Sequence, residues 1–128
     1  MNKKIVKQIK HKQDCKKILE ISPKIRYAGV TNEFGRTISG QLKAGITPYL
    51  RTEDIRNEFF IHSMVFSVRN NYKKSIGDTE YLLFESTKVR VVSFMASKLI
   101  YYVTIEKRTS NNELFKIIEN IMDKIQSF

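Results

Sequence analysis

Apolar residues recur along this chain with two periods, and the switches between them mark its elements. From Thr52 to Ile76 (TEDIRNEFFIHSMVFSVRNNYKKSI) they recur at three- and four-residue spacing, which predicts one long helix. Thr52 is placed to cap it, with Glu53 and Asp54 in the first turn, where the helix dipole favours acids. Gly77 is placed to end it, after Lys73 and Lys74. Two apolar ridges run along this helix. Ile61, Val65, Val68, Tyr72 and Ile76 make the first; Ile55, Phe59 and Phe66 make the second, with Phe60 and Met64 further round. One sheet face satisfies the first ridge, so the second is expected to be left over as an interface.

Short apolar runs flank the helix on both sides. Residues 25–30 and 36–42 read as strands joined through Asn32-Glu33-Phe34-Gly35, a hairpin in which Gly35 supplies positive φ. The small residues Ala28, Gly29 and Gly40 predict close approach to the sheet, by the long helix crossing it. Residues 79–85, 89–95 and 99–106 read as a meander, because connections this short make neighbours antiparallel. The run from Leu99 to Ile105 is apolar on both faces and is expected at the centre.

Both ends read as helices. Residues 2–21 lack glycine and proline until Pro23, and Ile5, Ile9, Cys15 and Leu19 share about a third of the wheel. Lys12 and Lys16 interrupt that stripe, so its first half is not expected to dock, and truncation of residues 1–17 is expected to leave the fold intact. Ser110 to Glu113 is a capping box that starts a helix with Leu114, Ile118, Ile121, Ile125 and Phe128 in register, widened by Phe115 and Met122. The order α-β-β-α-β-β-β-α implies an α+β chain, one domain over residues 1–128, with a five-stranded antiparallel sheet. The long helix covers one face, and a terminal helix, or both, the other.

Charge adds one asymmetry. The chain carries +10, and residues 1–26 hold nine basic side chains against Asp14 and Glu20, so the basicity belongs to the N-terminal helix. Lys3, Lys4, Lys7, Lys10, Lys12, Lys16 and Lys17 form a basic patch fit for nucleic acid, an anionic membrane or an acidic protein, or simply for solubility. Tyr27, Tyr101 and Tyr102 beside Arg26 could interleave aromatic and basic groups on a sheet, which keeps nucleic-acid binding as an alternative function. No apolar run approaches the roughly 20 residues of a membrane span, no signal-like h-region follows the N-terminal lysines, and Cys15 is the lone cysteine. Cytoplasmic residence is the expectation.

Candidate chemistry is sparse. His62 lies four residues after Glu58 and seven before Arg69, so the three share one side of the long helix. An acid–base pair or half a metal site would use such spacing, but two ligands are too few for a closed site. A polar ladder at a helix contact or an exposed edge is the simpler reading. His11 is expected to be exposed among its lysines. The GxxxxG spacing from Gly40 to Gly45 lacks the lysine of a phosphate loop, Ile46 standing in its place. No catalytic, cofactor or metal residues are assigned, and a small-ligand sensor, with its gap near Ala28, Gly29 and Gly40, is a second alternative.

The element order, with the stretch Ala28 to Ser39 (AGVTNEFGRTIS), resembles the roadblock/longin (profilin-like) class of domains. The stretches Ile25 to Val30 and Arg56 to Phe60 are also similar to a family of small archaeal proteins without an assigned role. The roadblock resemblance implies a non-enzymatic module that pairs as a homodimer or heterodimer and serves as a platform for a small GTPase, a motor or a membrane-associated complex. The expected interface on the long helix is Ile55, Glu58, Phe59, Phe60, His62, Met64, Phe66 and Arg69. The basic N-terminal helix and the long C-terminal helix depart from that family.

Overall fold

Asn32 organises the first hairpin: its side-chain oxygen accepts from the backbone N–H groups of Phe34 and Arg36, and Gly35 takes φ +83°. The computed structural model describes residues 2–128. Along it run α1 (Lys3–Leu19), β1 (Ile25–Asn32), β2 (Thr37–Leu42), α2 (Thr52–Asn70), α3 (Lys73–Ile76), β3 (Leu82–Glu85), β4 (Val89–Ala96), β5 (Leu99–Glu106) and α4 (Asn111–Gln126). The strands form one antiparallel five-stranded sheet in the order β2-β1-β5-β4-β3. The chain is thus α+β, with β5 at the centre, as its two-sided apolar pattern predicts.

Side chains along β5 alternate between two different layers. Tyr101, Val103 and Ile105 join Ile18, Leu19, Ala28, Val30, Val92, Ile117, Ile118 and Ile121 in the larger core, so α1 and α4 both cover that face. Ile100 and Tyr102 point to the other face, where α2 lies with Phe59 and Phe66. The capping box forms as expected, with Ser110 Oγ accepting from the Glu113 N–H at 3.1 Å.

Four expectations are corrected. The long helix is not continuous: Tyr72 leaves the helical region (φ −123°, ψ 27°), and a single turn, α3, follows before Gly77 at φ +86°. Residues 70–78 are all exposed, and an Asn-Asn-Tyr sequence without burial has little to hold a helix straight. Arg51, not Thr52, is the N-cap residue; it offers no side-chain acceptor and instead pairs with Asp54 at 3.2 Å. The strand expected from residue 79 begins at Leu82. His11 is buried, because α1 turns it with Asp14 and Cys15 toward the sheet; its Nδ1 lies 3.4 Å from Asp14 Oδ2.

Candidate functional site

Ring size decides which side of α2 meets the sheet. Gly29 of β1 leaves a depression, and Phe59 fills it: a Cβ added to Gly29 would lie 3.1 Å from the Phe59 ring. Phe59 also meets Tyr102 edge-on at 5.2 Å between centroids. At helical spacing from Phe59, His62, Ser63 and Phe66 follow it into the interior. Gly35 abuts the α2 backbone, since a Cβ there would stand 2.9 Å from the Phe59 carbonyl oxygen. Ser63 Oγ donates to the Glu33 carbonyl at 2.7 Å, so the hairpin turn holds the middle of α2.

This orientation exchanges the two ridges predicted for the helix. Phe59 and Phe66 are buried, Ile55 is half-buried, and none of the three is a free surface. The expected sheet-facing ridge instead points outward: Ile61, Val68, Tyr72 and Ile76 are exposed, and only Val65 reaches the core. Phe60 and Met64 are exposed, as the interface reading requires, and Phe60, Ile61, Met64 and Val68 range from 43% to 62% exposed. The β-branched ridge looked the better match to a sheet, but the glycine floor needs a long aromatic. The stripe 55, 59, 62, 63, 66 carries the signal that could have shown this.

Glu58, His62 and Arg69 do not form a ladder at a surface. Glu58 Oε1 accepts from the Tyr102 hydroxyl at 3.0 Å, and Arg69 Nε donates to Thr79 Oγ1 at 3.2 Å. His62 is fully buried, with Nδ1 2.6 Å from Ser93 Oγ and its ring 4.3 Å from the Phe84 ring. Its Nε2 has no hydrogen-bond partner among the described residues. Burial pushes its pKa down to about 4, so the neutral ring occupies the site at neutral pH. Tyr102 is raised, first by burial and then by Glu58. These groups fasten α2 to β5 and β4. Ser93 and Phe84, read in the sequence only as strand residues, and Tyr102, read as a strand residue and a possible nucleic-acid contact, are the partners that sequence reasoning missed. No group of three or more metal-ligating side chains occurs among the described residues.

Beside the N-terminal half of α2 the sheet is uncovered, leaving an open groove of about 780 Å³. Tyr27, Tyr102, Phe59, Phe84 and Val91 line its apolar floor, and Glu58 and Arg56 stand at its polar side. Only part of the small-residue region expected to form a gap is here. Gly40 lines the groove, but Tyr27, not the helix, lies over it: a Cβ on Gly40 would meet the Tyr27 hydroxyl at 2.1 Å. Ala28 belongs to the core on the opposite face. A bulge between Ile25 and Tyr27 brings Arg26 and Tyr27 to the groove together.

The aromatic and basic residues suggested as a nucleic-acid platform do not share one open face. Tyr101 and Tyr102 are buried on opposite sides of the sheet, and Arg26 is buried and paired with Glu106 at 2.8 Å. The basic patch itself is exposed along α1: Lys3, Lys4, Lys7, Lys10, Lys12, Lys16 and Lys17 all face solvent. No helix among the described residues is long and apolar enough to cross a membrane. Cys15 is buried, and burial raises its thiol to about 12, which makes it inert.

One sheet in the order β2-β1-β5-β4-β3, with one helix on one face and two on the other, recurs in solved structures. MglB of Myxococcus xanthus superposes with a TM-score of 0.70 at 13% identity, covering 94% of this chain and 87% of that one. A roadblock/LC7 domain from Streptomyces avermitilis superposes at 0.67 with 11% identity, covering 91% and 94%. The fold is that of the roadblock/longin domains. A further roadblock/longin structure, MglB in a tetrameric arrangement, superposes at 0.67 with 7% identity, covering 99% and 93%. No protein-family model and no curated protein matches the sequence.

Proposed function

We propose that this roadblock/longin chain is a non-enzymatic interaction module that pairs with a second copy through the outward face of α2. The observation that carries the reading is that α2 has a second apolar stripe, on the side away from the sheet. Phe59 and Phe66 satisfy the sheet, and Phe60, Ile61, Met64 and Val68 remain on the opposite side without cover. A contiguous exposed apolar cluster of this kind marks an interaction surface. Burying these four side chains against their counterparts would remove a contiguous apolar patch from water, with roughly 25 cal/mol per Å² to set against the cost of association. The tetrameric arrangement of an MglB of the same fold supports self-assembly as a use of this architecture. The paired module then offers its remaining surface to a further protein, with a small GTPase as the partner class that the family resemblance implies.

Static light scattering at micromolar concentration tests this. A dimer is expected, and Phe60→Glu combined with Met64→Glu should give a monomer with an unchanged circular dichroism spectrum. A monomeric parent chain would sink the assembly reading, and a variant that stays dimeric would move the interface off α2.

The groove beneath α2 favours a second reading, a small-ligand site. Its volume of about 780 Å³ and its aromatic floor suit a mainly apolar small molecule. Ligand-observed NMR with a fragment set separates the two readings. Hits lost on Val91→Phe, in a protein that remains dimeric, would support it, and absence of hits would remove it.

A further inference from the structure

Helix α1 has its own unpartnered face, of a different chemistry from that of α2. His11, Asp14, Cys15, Ile18 and Leu19 are buried and fix which side of α1 meets the sheet. At about 100° per residue, Ile5, Val6 and Ile9 lie on roughly the opposite side of the wheel. They are accordingly 45–50% exposed. Further along the helix the same outward side carries Lys12, Lys16 and Lys17, all exposed, and Lys3 stands at its margin. The outward face of α1 is therefore an apolar end followed by a basic end. Among the described residues, Lys3, Lys12, Lys16 and Lys17 enter no ion pair, whereas Lys10 is held by Asp14 at 3.1 Å.

We propose that this face docks the protein on an anionic lipid bilayer surface. Ile5, Val6 and Ile9 seat at the boundary between headgroups and acyl chains, and Lys3, Lys12, Lys16 and Lys17 lie against the lipid phosphates. A short apolar patch with lysines beside it on an exposed helix offers both contributions to interfacial binding, buried apolar area and attraction to anionic lipid. Three features select this occupant over others. The face has no arginine and no aromatic residue, so it lacks the groups that clamp phosphates in pairs or stack on bases. Its apolar residues would add nothing to binding a phosphate backbone by charge. A second copy of the same face would bring lysines against lysines, which the uncharged residues of the α2 ridge avoid.

The test is co-sedimentation of the full chain with phosphatidylcholine vesicles, with and without about 30% phosphatidylserine. The parent chain should sediment with the anionic vesicles and not with the neutral ones. Ile5→Gln with Ile9→Gln keeps the charge and should weaken partitioning roughly tenfold, and Lys12→Gln, Lys16→Gln and Lys17→Gln together by at least as much. Circular dichroism should be unchanged in both variants, since every substituted position is exposed. Failure of the parent to bind anionic vesicles overturns the proposal, as does binding indifferent to the isoleucines. Gel shifts with a mixed-sequence duplex and a single-stranded RNA form the control arm. Tighter binding there than to vesicles, unaffected by the isoleucine changes, assigns the face to nucleic acid instead. Light scattering without lipid completes the set: a parent assembly that loses copies on the isoleucine changes assigns the face to self-association.

Discussion

Under α1 and α4 the sheet meets a continuous, mostly aliphatic layer, in which Ile18, Ile25, Val103, Ile105, Ile118 and Ile121 are all fully or almost fully buried. Under α2 it meets two small clusters, one around Phe59, Val91 and Tyr102 and one around Phe66, Leu82 and Ile100. His62 is buried beside them, against Phe84 and Tyr102, and an open groove lies to one side. Strand β5 serves both faces with alternate residues, so the contrast comes from the helices and not from the sheet. Mostly aliphatic side chains fill the first face, with Phe94, Tyr101 and the buried His11 and Asp14 among them. Large rings hold α2 on the second, and hydrogen bonds involving Ser63, Tyr102 and Ser93 position it. The first face is closed; the second has an open groove beside it and an exposed apolar stripe on the outer side of α2.

That contrast can be broken by substitution. Ile121→Ala, in the aliphatic layer, should cost about 4 kcal/mol in urea unfolding at one fixed protein concentration. Phe59→Ala should cost about 3 kcal/mol, the low end for a phenylalanine, because the neighbouring groove lets water reach the space it leaves. A loss from Phe59→Ala larger than that from Ile121→Ala would reverse the ranking of the faces.

Acid should act mainly through the α2 face. The folded protein holds His62 at about 4, below the 6.5 of the unfolded chain, so the folded state favours the neutral ring. Its contribution is complete above pH 6.5 and is lost as pH falls from there toward 4. The full loss is on the order of 3 kcal/mol. His62→Gln should remove most of this dependence, read as the difference from the parent in unfolding free energy across that range. His11 is lowered in the same direction by burial, then by Lys10, and adds to the dependence.

Smaller effects sharpen the picture. Gly35→Ala should cost about 2 kcal/mol, since φ +83° and the Phe59 carbonyl both oppose a side chain there. Phe60→Gln should change the unfolding free energy of a monomer by no more than about 0.5 kcal/mol, because its side chain is already in water.

The strands, their antiparallel neighbours and the centrality of residues 99–106 were legible because alternation and short connections constrain them strongly. The capping box of α4 was legible because it is local. The rotation of α2 was not. Its two ridges are similarly apolar, and the choice between them depends on the depression at Gly29, which belongs to a distant strand. The same dependence hid the roles of Glu58 and His62, whose partners Tyr102 and Ser93 lie 44 and 31 residues away. His11 was misjudged for a related reason: the lysines around it describe the outer side of α1, while its burial follows from the sheet-facing register that Cys15 and Leu19 share. Phe60 and Met64 kept their expected exposure, and they carry the candidate interface with Ile61 and Val68.

The bulge at Arg26 has a mechanical consequence for the connection between β2 and α2. Its guanidinium donates to the Thr47 carbonyl at 2.7 Å and lies 4.1 Å from the centre of the Tyr49 ring. The downstream part of this connection is thereby tethered, and with it the direction from which the chain enters α2. Upstream, Lys43 is bonded to Arg26 and Ser22, while Ala44 is exposed and Gly45 has nothing near its Cα side. Those two residues are the exposed centre of a turn closed by the Ile46 N–H donating to the Lys43 carbonyl at 3.2 Å. A tag or a short extra segment spliced there would lengthen a loop whose ends are already pinned, at about 0.6 kcal/mol for each doubling of its length.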